Sequence, residues 1–258
     1  MQKEDIKFLD STVFEGMTSI RAILNANDER LNDRRIEKIL FDKNRLHKIH
    51  KEIGYLRAIS ESRGFDLVPS TAEELDEITL GSSHGGIIAI TGDRTLPYFD
   101  ENIEIEPNGF YAMIQGIEDP YNFGYSLRSL YATGCSGIIL PERNWMSAAG
   151  VVARSSAGAS EMFKIYKSDD PLVAAEIFKS KGYKIVCADE RTDNILGECE
   201  LKTPLLLIVG GEKRGISRAL VDNADILVKI NYAREFKASL SAASATTMFA
   251  YEIMRQNN

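Results

Sequence analysis

The chain has 258 residues, 44% hydrophobic and 27% charged, with 31 Lys and Arg against 38 Asp and Glu for a formal net charge of −7. These are the proportions of a soluble globular protein. No apolar run approaches the about 20 residues of a membrane helix. The charged start MQKEDIKFLD lacks a leader's apolar stretch. Cys135, Cys187 and Cys199 are too few for a disulfide framework, so a cytoplasmic location is expected.

In chain order, Ile20 to Leu24 predicts a short helix and IEKILF (36–41) a strand. From Asn44 to Arg63, Leu46, Ile49, Ile53, Leu56 and Ile59 recur at helical spacing, and Gly64 ends that helix. DLVPS (66–70) reads as a strand, and Ser70 with Glu73 as a capping box opening a helix through Ile78. GGIIAI (85–90) is a buried strand, and the acidic segment 92–108 a linker. The pattern then restarts. FYAMIQGI (110–117), SGIIL (136–140), YKIVCAD (183–189), PLLLIVGG (204–211) and ILVKI (226–230) read as strands. Asn122–Thr133, 146–153, 171–180 and Ser239–Arg255 read as helices. A strand apolar throughout, such as 205–209, belongs inside a parallel sheet covered on both faces. Strands alternating with helices predict an α/β fold. The expected organisation is a smaller α/β domain over residues 1–98, a linker over 99–108, and a larger α/β domain with a parallel sheet over 109–258.

The negative total speaks against a polyphosphate partner, because such partners favour basic chains. It is, however, a sum of unlike segments. Residues 30–63 carry 10 basic and 5 acidic side chains; residues 64–106 carry 1 and 10; residues 107–258 carry 17 of each. The basic stretch fits both a solvated helix face and a nucleic-acid contact.

Familiar chemistries are poorly supported. The sequence contains no GxGxxG for a dinucleotide and no GxSxG for a nucleophilic serine. GGEKRGIS (210–217) lacks the Lys-Ser/Thr of a phosphate loop. His47 and His50 stand three apart without a matching set of ligands, and no metal is expected.

Three glycine-bearing segments remain, each at a predicted strand end. In DPYNFGYSLRSLYATGCSGIIL (119–140), Asn122, Gly124 and Arg128 open a helix. In LLLIVGGEKRGIS (205–217), a buried strand runs into Gly210, Gly211 and Glu212, with Gly215 before the next helix. In ILVKINYAREFKASLSAASA (226–245), a strand leads through Arg234 and Lys237 to Ser239 and Leu240. Paired glycines beyond a central strand let the backbone approach a ligand in the crevice at the strand ends.

In this order and spacing the three segments resemble the motifs of the SpoU/TrmH branch of the SPOUT RNA methyltransferases: N-x-G-x-x-x-R on Asn122, Gly124 and Arg128; G-x-E-x-x-G on Gly210, Glu212 and Gly215; and S-L-N beginning on Ser239 and Leu240. Residues 84–86 (HGG) are similar to a turn in the small substrate-binding domain often fused to that family. The resemblance implies a C-terminal domain tied in a trefoil knot and a homodimer. It also implies S-adenosylmethionine (SAM) as cofactor and methylation of a ribose 2'-hydroxyl in tRNA or rRNA. By the same resemblance, Asn122, Arg128, Glu212 and Ser239 are the catalytic set. Gly210, Gly211, Glu212, Gly215, Ile230, Ser239 and Leu240 would border the cofactor. Arg45, Lys48, Lys51, Arg128, Arg154, Arg234 and Lys237 are expected to meet RNA. The chain departs from the family pattern at Ser241, where asparagine is usual, and by lacking a proline in VKINY. A non-catalytic SAM- or RNA-binding relative of the same fold is the alternative.

Overall fold

The computed structural model describes residues 12–79, 84–117, 119–141, 145–211 and 214–258. They form two compact units. The first holds the residues up to Thr95 together with Trp145–Met162, and the second holds the rest. Trp145–Met162, read from sequence as part of the later domain, therefore packs with the earlier one.

The first unit is built on a four-stranded sheet in the order β1 (Val13–Glu15), β4 (Ile87–Thr91), β2 (Ile36–Asp42), β3 (Asp66–Ser70). The β2–β3 pair is parallel, and β4 is antiparallel to both of its neighbours. Helix α1 (Gly16–Asp28) is longer than its sequence signal, and β1 has none: three residues are too few to show a period. Helix α2 (Leu46–Arg63) buries Ile49, Ile53 and Leu56, the stripe that predicted it. Gly64 closes it at φ +71°, its amide donating to the Ser60 carbonyl at 2.8 Å. Helix α3 (Ala72–Ile78) is capped one residue later than expected, by Thr71 and Glu74 rather than Ser70 and Glu73. Ser70 still belongs to β3, paired with Asp42, and its hydroxyl donates to Glu74 at 2.6 Å.

Within this unit α5 (Ala149–Ser155) and α6 (Ala159–Met162) lie close to β1 and α1. A Cβ on Gly150 would fall 1.9 Å from the Val13 carbonyl oxygen, so only glycine fits there. A buried polar cluster fixes the same segment. Arg34 Nε donates to Glu161 Oε2 at 3.0 Å, with side-chain exposures of 2% and 0%. Arg34 also donates to the Gly92 carbonyl, Asn32 donates to Glu161, and Arg94 donates to the Ser160 carbonyl at 2.8 Å.

The second unit carries a six-stranded, wholly parallel sheet in the order β10 (Ile226–Val228), β8 (Lys184–Ala188), β9 (Leu205–Gly210), β5 (Phe110–Gln115), β6 (Gly137–Pro141), β7 (Ile165–Ser168). Its helices are α4 (Pro120–Ala132), α7 (Pro171–Ser180), α8 (Arg218–Asn223) and α9 (Ala242–Asn257). Residues Leu205 to Val209 of β9 are all buried, as an inner parallel strand requires. Aromatic rings fill one side of the core, with Phe99 stacked on Phe178 at 4.8 Å. Part of the acidic segment is thus packed: the Phe99 amide donates to the Lys167 carbonyl, and Tyr98 pairs with Lys167 beside β7. From β5 the chain runs out through β6 and β7, then crosses over to β8. The strand order therefore reverses at the β5–β9 pair, and the crevice beyond the carboxyl ends there is where such sheets bind ligands.

The polar cluster generates a prediction. Replacing Glu161 by alanine leaves the Arg34 guanidinium buried without its carboxylate. This should cost about 3–5 kcal/mol of stability in the first unit, read by urea unfolding. Asp222→Ala, which breaks the exposed Arg218–Asp222 pair, should leave the transition almost in place.

Candidate functional site

The site is built from the chain segments that leave the sheet at the carboxyl ends of β8, β9 and β10. After β9 the backbone passes through Gly210 and Gly211, where no Cβ fits. A Cβ on Gly210 would meet the Gly215 carbonyl carbon at 2.4 Å, and one on Gly211 would meet the Gly116 carbonyl oxygen at 1.8 Å. Gly215 has φ +60°, and its amide donates back to the Gly211 carbonyl at 2.9 Å. The paired glycines of the second motif thus bring the turn after β9 against the end of β5.

Beyond β10 the chain is first pinned and then released. The Lys229 amide donates to the Asn194 carbonyl and the Leu196 amide to the Lys229 carbonyl, both at 2.9 Å. A loop over residues 231–240 follows and ends at α9. That helix starts at Ala242, three residues later than the sequence reading, because Ser241 adopts extended backbone and caps it. Ser241 Oγ accepts the Ser244 amide at 3.2 Å. Ser239 and Leu240 therefore lie in the loop, and Leu240 donates its amide to the Tyr232 hydroxyl at 3.2 Å.

These segments enclose a cavity of about 700 Å³. Gly210, Gly211, Gly215, Ile230, Ser239 and Leu240 all line it; Glu212 falls outside the described residues. The structure adds lining residues that the sequence did not single out. Phe249 enters from one face of α9, and Tyr232 and Phe236 from the loop. Asp189 stands at the end of β8, held by Arg191 through two hydrogen bonds of 2.9 and 2.7 Å. Those bonds hold its carboxyl below the usual carboxylate range, so it stays ionised. An aspartate two residues from an arginine carries no periodic signal, so the sequence could not point to it.

The first motif sits elsewhere in the same unit. Pro120 opens α4, and Asp119 caps it by accepting the Asn122 amide at 2.9 Å. Asn122 is half-buried. Arg128 is exposed and is not among the cavity's lining residues. Helix α4 touches α9 through a 2.6 Å hydrogen bond between the Ser129 and Thr247 hydroxyls. Both helices present large apolar side chains to solvent: Tyr125 and Tyr131 on α4, Met248 and Tyr251 on α9. Arg234 and Lys237 are exposed in the loop.

In the first unit, Lys48 and Lys51 are exposed on α2, and Arg45 is half-buried just before it. Arg154 is engaged by Glu15 at 2.9 Å. His84 is a structural residue: it is 3% exposed, with Nε2 3.1 Å from Asp76 and Nδ1 accepting the Gly86 amide at 3.0 Å. Burial pushes the Cys135 and Cys187 thiols up to about 12, leaving them protonated and unreactive. Among the described residues no group of His, Cys, Asp and Glu could hold a metal, and no helix is long and apolar enough to cross a membrane.

Two substitutions probe this geometry. Gly211→Ala must push the turn off the Gly116 carbonyl and should cost about 1–3 kcal/mol, measured by chemical unfolding. Ser241→Ala removes the cap of α9 and should cost about 1 kcal/mol, whereas Ser241→Asn should hold stability within a few tenths, since asparagine caps equally well; thermal unfolding distinguishes the two.

The match to known proteins falls on the segments that form the cavity. Residues 109–251 match the model of the SpoU rRNA Methylase family. The 23S rRNA (guanosine-2'-O-)-methyltransferase RlmB of Shewanella oneidensis is 28% identical over 262 residues, covering 99% of both chains. Among solved structures, the AdoMet-bound rRNA methyltransferase from Sinorhizobium meliloti superposes with a TM-score of 0.79 at 20% identity, covering 98% of this chain and 94% of its own. The SpoU methyltransferase AviRb from Streptomyces viridochromogenes, in complex with AdoMet, gives 0.76 at 20% identity over 95% and 89%. The family match takes in more than half of the chain, including the glycine turn, the loop after β10 and most of α9, and the chain belongs to the SpoU rRNA Methylase family.

Proposed function

We propose that this protein is a SAM-dependent RNA methyltransferase that modifies a ribose 2'-hydroxyl of tRNA or rRNA, working as a cytoplasmic homodimer. The observation that carries this reading is the cavity at the carboxyl ends of β8, β9 and β10, walled by the second and third motifs in a chain of this family. Its relative RlmB is named for guanosine 2'-O-methylation of 23S rRNA, with nearly end-to-end coverage.

The residues present fit the cofactor. The volume of about 700 Å³ lies within the range of small-molecule sites. The turn at Gly210 and Gly211 is bare backbone, which suits a ligand recognised through amides and carbonyls. Gly210, Gly211, Gly215, Ile230, Ser239 and Leu240 would hold it, with Glu212 bordering the same turn. When bound, SAM supplies a methyl group already activated on a sulfonium. The protein's task is then to orient and to stabilise charge. A ribose hydroxyl must lose its proton as it attacks. Arg128 would bind the neighbouring phosphate and stabilise the developing alkoxide; a guanidinium is too weak a base to take the proton itself. Asn122, six residues before Arg128 on α4, would help to orient it and the ribose. Ser239, exposed on the loop, would contact the substrate side.

The dimer rests on the exposed face of α4 and α9. Joining two copies there would cover Tyr125, Tyr131, Met248 and Tyr251 and put Arg128 at the interface. That arrangement accounts for a catalytic arginine outside its own chain's cavity lining. The trefoil knot is inferred from family membership. For RNA beyond the reacting nucleotide, the exposed Lys48 and Lys51, with Arg45 beside them, supply positive charge on the first unit, and Arg234 and Lys237 supply it on the second. Arg154 would have to exchange its partner Glu15 for a phosphate.

Transfer of labelled methyl from SAM to bulk RNA tests the proposal. Arg128→Ala should slow transfer by about a hundredfold or more while SAM binding, followed by calorimetry, persists. A wild-type chain that binds SAM and RNA but transfers nothing would establish the non-catalytic alternative.

A further inference from the structure

The loop between β10 and α9 carries two aromatic side chains that no step above uses. Phe236 is 56% exposed and Tyr232 38%, yet both line the cavity. Their rings meet edge-on at 6.0 Å. Tyr232 is fixed at its other end, because its hydroxyl accepts the Leu240 amide across the loop. Tyr232 thus acts as a strut, and Phe236 rests against it with more than half of its surface toward solvent. An exposed, braced phenyl ring is costly to leave in water and well suited to cover a flat ligand.

Charge selects the ligand. Arg234 and Lys237 flank Phe236 in sequence, and Arg214 lines the cavity; none of the three forms an ion pair with a described residue. Glu235 is the one acidic side chain among residues 231–240. SAM carries a sulfonium, an ammonium and a carboxylate, hence a net positive charge, so a cluster of three cations favours a polyanion over it. An RNA strand presents both a base to stack and phosphates to neutralise. The inner end of the cavity, with its bare glycine backbone and the buried Val209, Val228 and Phe249, is by contrast suited to the cofactor.

We infer that Phe236, braced by Tyr232, is the stacking platform for an RNA base at the mouth of the cavity, with Arg234 and Lys237 on the adjoining phosphates. The inference rests on the methyltransferase reading and adds to it a positioning role for this chain's own loop sequence. Phe236 does not touch the reacting atoms. It fixes where the strand lies relative to the cavity.

The experiment measures binding of a single-stranded 12-mer ribo-oligonucleotide of mixed sequence, by fluorescence anisotropy, and of SAM, by calorimetry, to the full chain. Phe236→Ala should weaken RNA binding about tenfold, in line with the loss of one stacked base. SAM affinity should stay within twofold, and the salt dependence of RNA binding should keep its slope. Phe236→Trp should restore RNA binding, and Arg234→Ala with Lys237→Ala should flatten the slope. Unchanged RNA affinity in Phe236→Ala overturns the inference while leaving the methyltransferase reading intact, provided that the wild type still methylates bulk RNA. A parallel loss of SAM affinity also overturns it and assigns the ring to the cofactor. A wild type that neither binds the oligonucleotide nor methylates RNA removes both readings together.

Discussion

The second unit depends on one steric constraint: the turn after β9 must pass within van der Waals distance of the end of β5. Gly211 lies against the Gly116 carbonyl and Gly210 against Gly215, with no room at either place for a methyl group. That approach has two consequences. It fixes the turn that follows β9, whose Gly210, Gly211 and Gly215 wall the cavity at the carboxyl ends of β8, β9 and β10. It also leaves backbone amides and carbonyls as part of the inner wall, beside the apolar side chains of Val209, Val228 and Phe249. A wall of that kind recognises a ligand by shape and hydrogen bonding at little entropic cost, because the backbone is already fixed. The regular packing of β9 in the sheet's interior supplies the rigidity.

The first unit uses a different device for the same end of fixing a segment. Trp145–Met162 comes late in the chain but folds with the early residues, held by Gly150 against Val13 and by the buried Arg34–Glu161 pair with its ring of backbone carbonyls. A buried ion pair contributes little net stability against a hydrophobic substitute, yet it is costly to leave half-made. Arg34 and Asn32 both donate to Glu161 Oε2 and so tie α6 to the segment leading into β2. The early residues and the later segment thereby form one compact unit.

The cavity shows how chemistry is divided among elements. The sheet ends and α9 give apolar or bare-backbone walls, while the loop after β10 carries aromatic rings and cations. The substitution at the third motif fits this division. Ser241 caps α9, a task for which serine and asparagine are equivalent, so the departure from the family pattern leaves the start of the helix intact. Charge is divided in the same way. The net −7 is a sum of unlike segments, strongly acidic over 64–106, basic over 30–63 and balanced over 107–258.

Much of the fold was legible in the sequence because local rules set it. The stripe of Ile49, Ile53 and Leu56, the stop at Gly64, the apolar run of β9 and the proline that opens α7 each follow from periodicity or from one residue's backbone preference. The three motifs named the family, and Gly210, Gly211, Gly215, Ser239 and Leu240 of the second and third line one cavity, while the first motif lies outside its lining. What misled or gave no signal was decided over long range. Ser70 and Glu73 obey the capping rule, but sheet pairing claimed Ser70 and moved the cap to Thr71. Arg154 reads as a free cation until Glu15, 139 positions away, engages it. Segment 145–162 carries ordinary helical residues, and only the approach of Gly150 to Val13 and the pairing of Glu161 with Arg34 assign it to the first unit. The sequence by itself determined the elements, the class of sheet and the family, because these depend on residue type and short spacing. Only the tertiary structure decided which charges are available, which segments share a core and which aromatic rings line the cavity, because burial and pairing arise between residues that are far apart in the chain.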